Sequence, residues 1–212
     1  EAFVRLGHGV VVFPGGVGTA EEILYLLGIL LDPDNAGQPL PMILTGPASS
    51  ESYFRRIDEF IGLTLGDEAR KRYQIVIDDP SGVAQLLAKG MEAVRAFRIE
   101  VKDAFYFNWQ LDISADFQIP FMPTHENMRA LELSRDQPVH DRAASLRRIF
   151  SGIVAGNVKP DGLKAIREHG HFQIRGESAL MHSLDELLKS FVAQNRMKLP
   201  GTTYQPCYEI VT

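Results

Sequence analysis

A glycine-rich turn near the start of the chain constrains the fold most. Residues 9–13 form a short apolar run that is typical of a strand buried on both faces, and the turn Gly15-Gly16-Val17-Gly18-Thr19 follows it. A helical pattern begins directly after the turn, with its leucines and isoleucines on one side, and ends at the breaker segment 32–35. These features predict a strand, a tight turn and a helix.

Two further strand–helix pairs follow in the first half of the chain. We predict strands at 42–45 and 75–77, each followed by a helix, the first beginning near residue 50 and the second near residue 81. This alternation indicates an α/β fold with a parallel sheet and right-handed crossovers. Three strands are few, since sheets usually have about four to six. We therefore assign residues 1–99 to a partial Rossmann-like nucleotide-binding and catalytic domain with flanking helices, and expect its N-terminal half to be missing.

The pattern changes near residue 100. Two aromatic segments, at 105–109 and 117–121, are strand-like, and a brief strand is predicted at 172–174. Helical patterns occupy much of the rest, at 125–133, 138–156, 160–169 and 183–196. We interpret residues 100–212 as a smaller α+β domain that is a candidate for a regulatory role.

Composition limits the class of protein. The chain has 212 residues, 45% of them hydrophobic, and a formal net charge of −5, which gives no overall attraction to nucleic acid or to anionic membranes. Cys207 is the single cysteine, so an intramolecular disulfide is excluded. No apolar run reaches the length that crosses a bilayer. We expect a cytoplasmic protein without nucleic-acid or membrane partners.

The glycine turn suits an anion. Glycines let the backbone adopt positive φ and bring amide groups close to a ligand, and the N-terminus of the following helix favours negative charge. The Thr19 hydroxyl adds a donor, at the carboxyl end of a parallel strand where open α/β sheets bind ligands. A tight strand-to-helix connection explains the bare glycines equally well. The turn is neither a Walker loop nor a Gly-x-Gly-x-x-Gly motif.

Glu21 and Glu22, in the first turn of the helix, favour a catalytic site. An acidic residue there interacts well with the helix dipole, which explains one of the two. A carboxylate beside a phosphate site repels the ligand, so its presence there favours a role in the chemistry. Cleavage of a glycosidic bond has an oxocarbenium-like transition state, which a carboxylate near the ribose stabilises.

The turn and the residues after it resemble a known motif. The Pro-Gly-Gly-x-Gly-Thr-x-x-Glu motif of the "lonely guy" phosphoribohydrolases, a family also labelled lysine decarboxylases, matches Pro14-Gly15-Gly16-Val17-Gly18-Thr19-Ala20-Glu21-Glu22. The chain also resembles the bacterial pyrimidine/purine nucleotide 5′-monophosphate nucleosidases, because residues 117–127 look like the start of their C-terminal domain. The resemblance covers essentially the whole chain, as the later half of such a protein.

This resemblance implies hydrolysis of nucleoside 5′-monophosphates to free base and ribose 5-phosphate, without a metal or an organic cofactor. Glu22 matches the last residue of the motif and would be the catalytic carboxylate, while Glu21 would assist at the ribose or be structural. Four residues of the turn would hold the 5′-phosphate: Gly15, Gly16, Gly18 and Thr19.

One part of the family's site falls outside this sequence. The family also uses an arginine, within an Arg-Lys pair on the helix before the motif strand. Counting back from Pro14 places this pair just before Glu1, and Arg5 lies one helical turn too late. We therefore expect the 212 residues alone to have negligible nucleosidase activity.

The resemblance also concerns regulation and assembly. The nucleosidases are regulated by guanosine tetra- and pentaphosphate bound between subunits, and family members form dimers or larger oligomers. We therefore expect a homo-oligomer. Arg147 and Arg148 are candidates for the regulatory anion site, although basic residues of this kind usually form a solvated face.

The remaining signals are weaker. His169-Gly170-His171 suggests a metal, but no cluster of cysteines, histidines or carboxylates completes a ligand set. The aromatic segment 105–109 could stack nucleic-acid bases, yet Lys102 is its one close basic neighbour, and the core of an interface is favoured.

An alternative function is that of a non-catalytic nucleotide- or cofactor-binding Rossmann-like protein. Glu22 discriminates between the two, because a carrier has little use for a carboxylate against its ligand. Amino-acid decarboxylation is disfavoured, since the sequence offers no context for a pyridoxal lysine.

Overall fold

Two small parallel sheets of three strands each form the frame of the protein, in a computed structural model that describes residues 2–197, 199 and 203–211. The strands are β1 (Val10–Val12), β2 (Met42–Gly46), β3 (Gln74–Ile77), β4 (Glu132–Leu133), β5 (Phe172–Gly176) and β6 (Tyr208–Val211). The helices are α1 (Ala2–Leu6), α2 (Val17–Leu31), α3 (Glu51–Leu65), α4 (Asp67–Arg70), α5 (Pro80–Glu100), α6 (Ala115–Gln118), α7 (His125–Ala130), α8 (Val139–Val158), α9 (Pro160–His169) and α10 (Ser178–Ala193). The α/β class predicted from the sequence is confirmed. None of the helices so described is long and apolar enough to cross a membrane.

The first sheet has the strand order β1-β2-β3, with all pairs parallel. Val11 pairs with Ile43, and Leu44 pairs with Ile75. The central strand β2 is buried from Met42 to Thr45, whereas the three valines of β1 are only half-buried. The expectation that β1 is buried on both faces is therefore wrong, because β1 lies at the edge of this sheet.

The helix α2 is buried on all sides rather than on one. Every residue from Ile23 to Leu30 is buried. This part of the sequence has no polar side, and a helix that is apolar all round belongs in a core. The predicted one-sided stripe therefore underestimates the burial of α2, which packs against α8 from the second half of the chain.

The second sheet has the strand order β4-β5-β6 and is also parallel. Leu133 pairs with Gly176, and Ile174 pairs with Ile210. The predicted strand at 172–174 and the helices at 138–156 and 160–169 are confirmed as β5, α8 and α9. The last helix, α10, begins five residues earlier than the predicted residue 183.

The two aromatic segments are not strands, and their prediction is wrong. Residues 105–109 form bends in which side chains satisfy the backbone. The Asp103 carboxylate accepts from the amides of Ala104 (2.8 Å) and Trp109 (3.3 Å), and the Arg98 guanidinium donates to the Phe105 carbonyl oxygen (2.5 Å). Such local side-chain bonds compete with sheet pairing.

A single hydrophobic core runs through both halves of the chain. The contact between α2 and α8 joins them, and the ring of Phe117 on α6 fills the space beside Gly28 of α2. The helix α5 is held less closely, since Val94 is buried but Met91, which the sequence predicts to face inward, is 45% exposed. The proposed boundary between residues 99 and 100 falls at the last turn of α5, and the division into two domains stays a prediction.

Candidate active site

The glycine turn lies where the first two strands of the sheet end. It connects β1 to α2, and Pro14 packs against Gly46, the last residue of β2. A methyl group on Gly46 would lie 2.9 Å from the Pro14 Cγ and 2.7 Å from the Ser50 Oγ. The close approach that Gly46 permits places the turn at the carboxyl edge of the sheet, where ligands of open α/β sheets bind.

The turn ends in a helix N-terminus that no side chain caps. Gly16 is the N-cap residue, with extended backbone at φ −109° and ψ −152°, and α2 begins at Val17. The Thr19 amide donates to the Gly16 carbonyl oxygen at 3.1 Å. Because the first amides of a helix have no acceptor within it, those of Val17 and Gly18 can donate to an anion.

Close packing, not positive φ, explains the first two glycines of the turn. Neither Gly15 nor Gly16 has a positive φ. A methyl group on Gly15 would overlap the Thr19 hydroxyl, and one on Gly16 would lie 2.5 Å from the Arg196 carbonyl oxygen. Gly18 differs, since no atom lies within 4 Å of a methyl group placed there. The turn is therefore packed on one side and open at Gly18.

Glu21 lies in the interface between α2 and α8. Its carboxyl group is half-buried and interacts with Arg147, Ser151 and Lys159, all on or just after α8. Burial raises the pKa of Glu21 above its ordinary value, although the charge of Arg147 and a hydrogen bond with Ser151 oppose the rise. The side chain therefore ties α2 to the second half of the chain.

Glu22 has a different environment from its neighbour. Consecutive residues of a helix point about 100° apart, and Glu22 is exposed. Within the described part of the chain it forms no ion pair. Its carboxylate is thus accessible from solvent, three residues after Thr19. Because α2 begins at Val17, both glutamates lie in its second turn, and the prediction that they lie in the first turn is wrong.

The two arginines predicted as an anion site both have protein partners. The Arg148 Nη2 lies 2.6 Å from the Asp116 Oδ1. The Arg147 guanidinium lies 5.2 Å from the centre of the Tyr25 ring and beside Glu21. The structure therefore brings one candidate regulatory residue next to one candidate catalytic residue.

Two residues that the sequence analysis did not single out contact the turn. The Arg196 Nη1 donates to the Gly15 carbonyl oxygen at 3.0 Å, and the Arg196 guanidinium lies 4.5 Å from the centre of the Tyr53 ring. Tyr53 is fully buried. Burial raises its pKa, while the Gly15 backbone and the charge of Arg196 oppose the rise. Arg196 is 181 residues from Gly15 in the sequence, so no local pattern could have indicated this contact.

Two of the histidines lie close together, and the single cysteine is buried. Among the residues that the structure describes, no three or more His, Cys, Asp or Glu side chains could together hold a metal ion. The His125 ring lies 5.5 Å from the His169 ring, and its Nε2 lies 2.8 Å from the Gly170 carbonyl oxygen. Burial raises the pKa of Cys207 to about 12, which keeps the thiol protonated and unreactive at neutral pH.

Two family profiles divide the chain between them. The family described as "Pyrimidine/purine nucleotide monophosphate nucleosidase, C-terminal" matches residues 91–211. The family described as "Possible lysine decarboxylase" matches residues 1–87, which contain the glycine turn and both glutamates.

The chain is also similar to curated proteins. Relatives from three Escherichia coli strains, each named pyrimidine/purine nucleotide 5′-monophosphate nucleosidase, are 57% identical to it over 212 residues. The match covers 100% of this chain and 47% of each relative. The chain therefore spans about half the length of the curated relatives that it matches.

Proposed function

Because the chain belongs to the family described as pyrimidine/purine nucleotide monophosphate nucleosidase, C-terminal, we propose that it forms part of an enzyme that cleaves nucleoside 5′-monophosphates. The reaction is hydrolysis of the N-glycosidic bond, and its products are the free base and ribose 5-phosphate. The curated relatives carry this activity in their name and are 57% identical to the whole chain, which supports the same activity here.

The glycine turn binds the 5′-phosphate in this proposal. The amides at the start of α2 and the Thr19 hydroxyl are donors of the kind that hold a phosphate at a helix N-terminus. The open space at Gly18 gives the phosphate oxygens access to the backbone. On the packed side, Gly15 lies against Thr19 and Gly16 lies against the Arg196 carbonyl oxygen, and these contacts hold the turn in place.

Glu22 supplies the catalytic carboxylate. As the bond between C1′ and the base nitrogen breaks, its electron pair leaves with the base and positive charge develops on C1′ and the ring oxygen. A carboxylate beside the ribose stabilises that charge. Water then adds its oxygen to C1′ and its proton passes to the base, so that one water molecule is consumed.

The observation that carries this assignment is the difference between the two glutamates. Glu22 is exposed three residues after Thr19, whereas Glu21 is half-buried against α8. We assign Glu21 the structural role, in which it fixes the direction of α2 and so the placement of Glu22.

Replacing Glu22 tests the function. The full-length protein and its Glu22→Gln variant are incubated with GMP, UMP and AMP, and free base is measured. The variant should lose base release by at least about 100-fold, with an unchanged thermal midpoint because Glu22 is exposed. Glu126→Gln, an exposed glutamate in the first turn of α7, is the matched control. Nucleotide binding without base release in the wild type would instead favour a non-catalytic nucleotide-binding protein.

We propose that guanosine tetra- or pentaphosphate regulates the enzyme at Arg147 and Arg148. Both guanidinium groups reach Asp116, Arg147 at the carbonyl oxygen (3.5 Å) and Arg148 at the carboxylate (2.6 Å). Arg147 is also next to Glu21, so an anion bound there would act on α2. The anion would have to displace Asp116 from Arg148. Titration of guanosine tetraphosphate against Arg148→Ala tests this, and unchanged binding would refute it.

We also propose a cytoplasmic homo-oligomer. Several large apolar side chains at the end of α5 and in the following loop are exposed, which supports a subunit interface there: Ile99 at 69%, Tyr106 at 78% and Trp109 at 70%. Sedimentation of the full-length protein and of a Trp109→Glu variant would test the interface, and an unchanged subunit number would exclude it.

A further inference from the structure

The segment that follows α10 reaches back to the glycine turn. Arg196 touches the turn with its side chain, through the bond to the Gly15 carbonyl oxygen, and with its backbone, since its own carbonyl oxygen lies 2.5 Å from the position of a methyl group on Gly16. The side-chain bond is to the peptide that links Gly15 and Gly16, and the backbone contact is at the Gly16 α-carbon, at the end of that peptide.

Arg196 is itself held in place by the end of α10. Asn195 has a positive φ of 55°, which ends the helix in a left-handed residue. The backbone amide of Arg196 then donates to the Phe191 carbonyl oxygen at 2.7 Å. The side-chain Nε of Arg196 donates to the Gln194 Oε1 at 3.3 Å.

The aromatic core beneath fixes the guanidinium group further. Arg196 lies over the Tyr53 ring at 4.5 Å, and the Phe191 ring stacks on Tyr53 with centres 5.7 Å apart and 27° between planes. A guanidinium fixed by a fully buried tyrosine and by its own helix end has little freedom to leave Gly15.

The geometry of a trans peptide makes this contact relevant to the ligand. In such a peptide the carbonyl oxygen of one residue and the amide hydrogen of the next point in opposite directions. A bond that holds the Gly15 carbonyl oxygen on the side of Arg196 therefore turns the Gly16 amide to the other side. A charged donor also polarises the peptide, which strengthens its amide as a donor.

We propose that Arg196 is a positioning residue for the glycine turn, which orients the Gly15–Gly16 peptide so that the Gly16 amide donates to the 5′-phosphate of the substrate. The inference rests on the proposed function. Arg196 does not touch the substrate in this arrangement and acts through the peptide.

The test uses Arg196→Met in the full-length protein. Methionine keeps the apolar contact with Tyr53 and removes the bond to Gly15. We expect the KM for GMP and the inhibition constant of ribose 5-phosphate to rise together by about tenfold or more, as for the loss of a charged hydrogen bond. Inhibition by ribose, which has no phosphate, should be unchanged. Arg196→Lys, which retains a cationic donor, should recover part of the loss.

A structural role alone predicts a different result. In that case the thermal midpoint of Arg196→Met falls, while the inhibition constant of ribose 5-phosphate stays at the wild-type value. That outcome overturns the proposal. Arg167→Met, on the exposed face of α9, is the control for removal of an arginine.

The two proposals fail in different ways. If the wild type releases base and Glu22→Gln does not, but Arg196→Met binds ribose 5-phosphate normally, the role of Arg196 is wrong and the function stands. If the wild type releases no base but binds ribose 5-phosphate in a manner that depends on Arg196, the function is wrong and the positioning role stands. If the wild type neither releases base nor binds ribose 5-phosphate, both are wrong.

Discussion

The hydroxyl of Thr19 lies against the α-carbon of Gly15, so closely that no side chain fits between them. Through this contact the first turn of α2 packs against the glycine turn that precedes it. A glycine at position 15 is thus required by the position of a hydroxyl group four residues later, and Gly15→Ala must displace that hydroxyl.

Gly15→Ala should damage the site more than the fold. The added methyl group pushes Thr19 away from the turn, and a misplacement of about 1 Å in a binding group can lower activity about 100-fold. Base release from GMP by the full-length protein measures the effect. Gly18→Ala is the matched control for stability, since its methyl group meets no atom within 4 Å. Its thermal midpoint should equal that of the wild type, and a clear fall would contradict the packing described here.

Glu21→Gln should change how stability depends on pH. Burial raises the pKa of Glu21 in the folded protein above 4.5, the ordinary value that applies to the unfolded chain. At a pH between the unfolded and the folded pKa, the folded state therefore binds more protons than the unfolded state. The free energy of unfolding therefore falls as pH rises through this window. Glutamine has no proton to lose, and the variant should lack this part of the fall.

Urea denaturation at a series of pH values from 4 to 8 measures the difference between wild type and Glu21→Gln. The variant should gain stability relative to the wild type as pH rises. Glu22→Gln serves as the comparison, because Glu22 is exposed. A pH profile of Glu21→Gln that parallels the wild type would show that Glu21 titrates normally.

Asp185→Ala should loosen the C-terminal strand. The Asp185 carboxylate accepts from the Tyr204 hydroxyl at 2.6 Å and from the Tyr208 hydroxyl at 2.8 Å, and both tyrosines are buried. Loss of the shared acceptor costs about 1–3 kcal/mol for each hydroxyl left without a partner. Denaturation and amide exchange of β6 measure the effect. Asp161→Ala, which removes an exposed aspartate from the first turn of α9, should cost less, about 0.3–1 kcal/mol from the helix dipole.

Gly28→Ala should separate α2 from α6. A methyl group on Gly28 overlaps the Phe117 ring, and overpacking of this kind costs about 1–3 kcal/mol. Gly37→Ala, where a methyl group meets nothing within 4 Å, is the control. Phe117→Leu in the Gly28→Ala background should restore part of the lost stability, and additive losses in the double variant would argue against a direct contact.

Hydrophobic patterns predicted most of the regular elements. The buried strands β2 and β5 and the helices α3, α8 and α9 were evident, because their periodicity is local and strong. The strands predicted around Trp109 and Phe117 are absent from the described structure, although aromatic residues favour strands in general. Asp103 instead satisfies the backbone around Trp109, and Phe117 lies in the short helix α6. That preference gives no information on whether a partner strand is present.

The glycine turn and both glutamates were identified from the sequence, whereas their environments were not. Helix geometry separates Glu21 from Glu22 by about 100°, but which of the two meets α8 depends on how the halves of the chain pack. No sequence pattern indicates a role for Arg196, because its hydrogen bond to the Gly15 carbonyl oxygen joins residues that are 181 positions apart in the chain.

The bond between Gly15 and Arg196 also sets an order of events during synthesis. The ribosome makes the turn first and adds the arginine 181 residues later, which at about 5–20 residues per second takes roughly 10 to 40 seconds. Throughout that interval the nascent turn lacks the contact that orients its first peptide. A polypeptide abandoned before Arg196 therefore carries the whole glycine motif and yet lacks the bond that holds its Gly15 carbonyl oxygen.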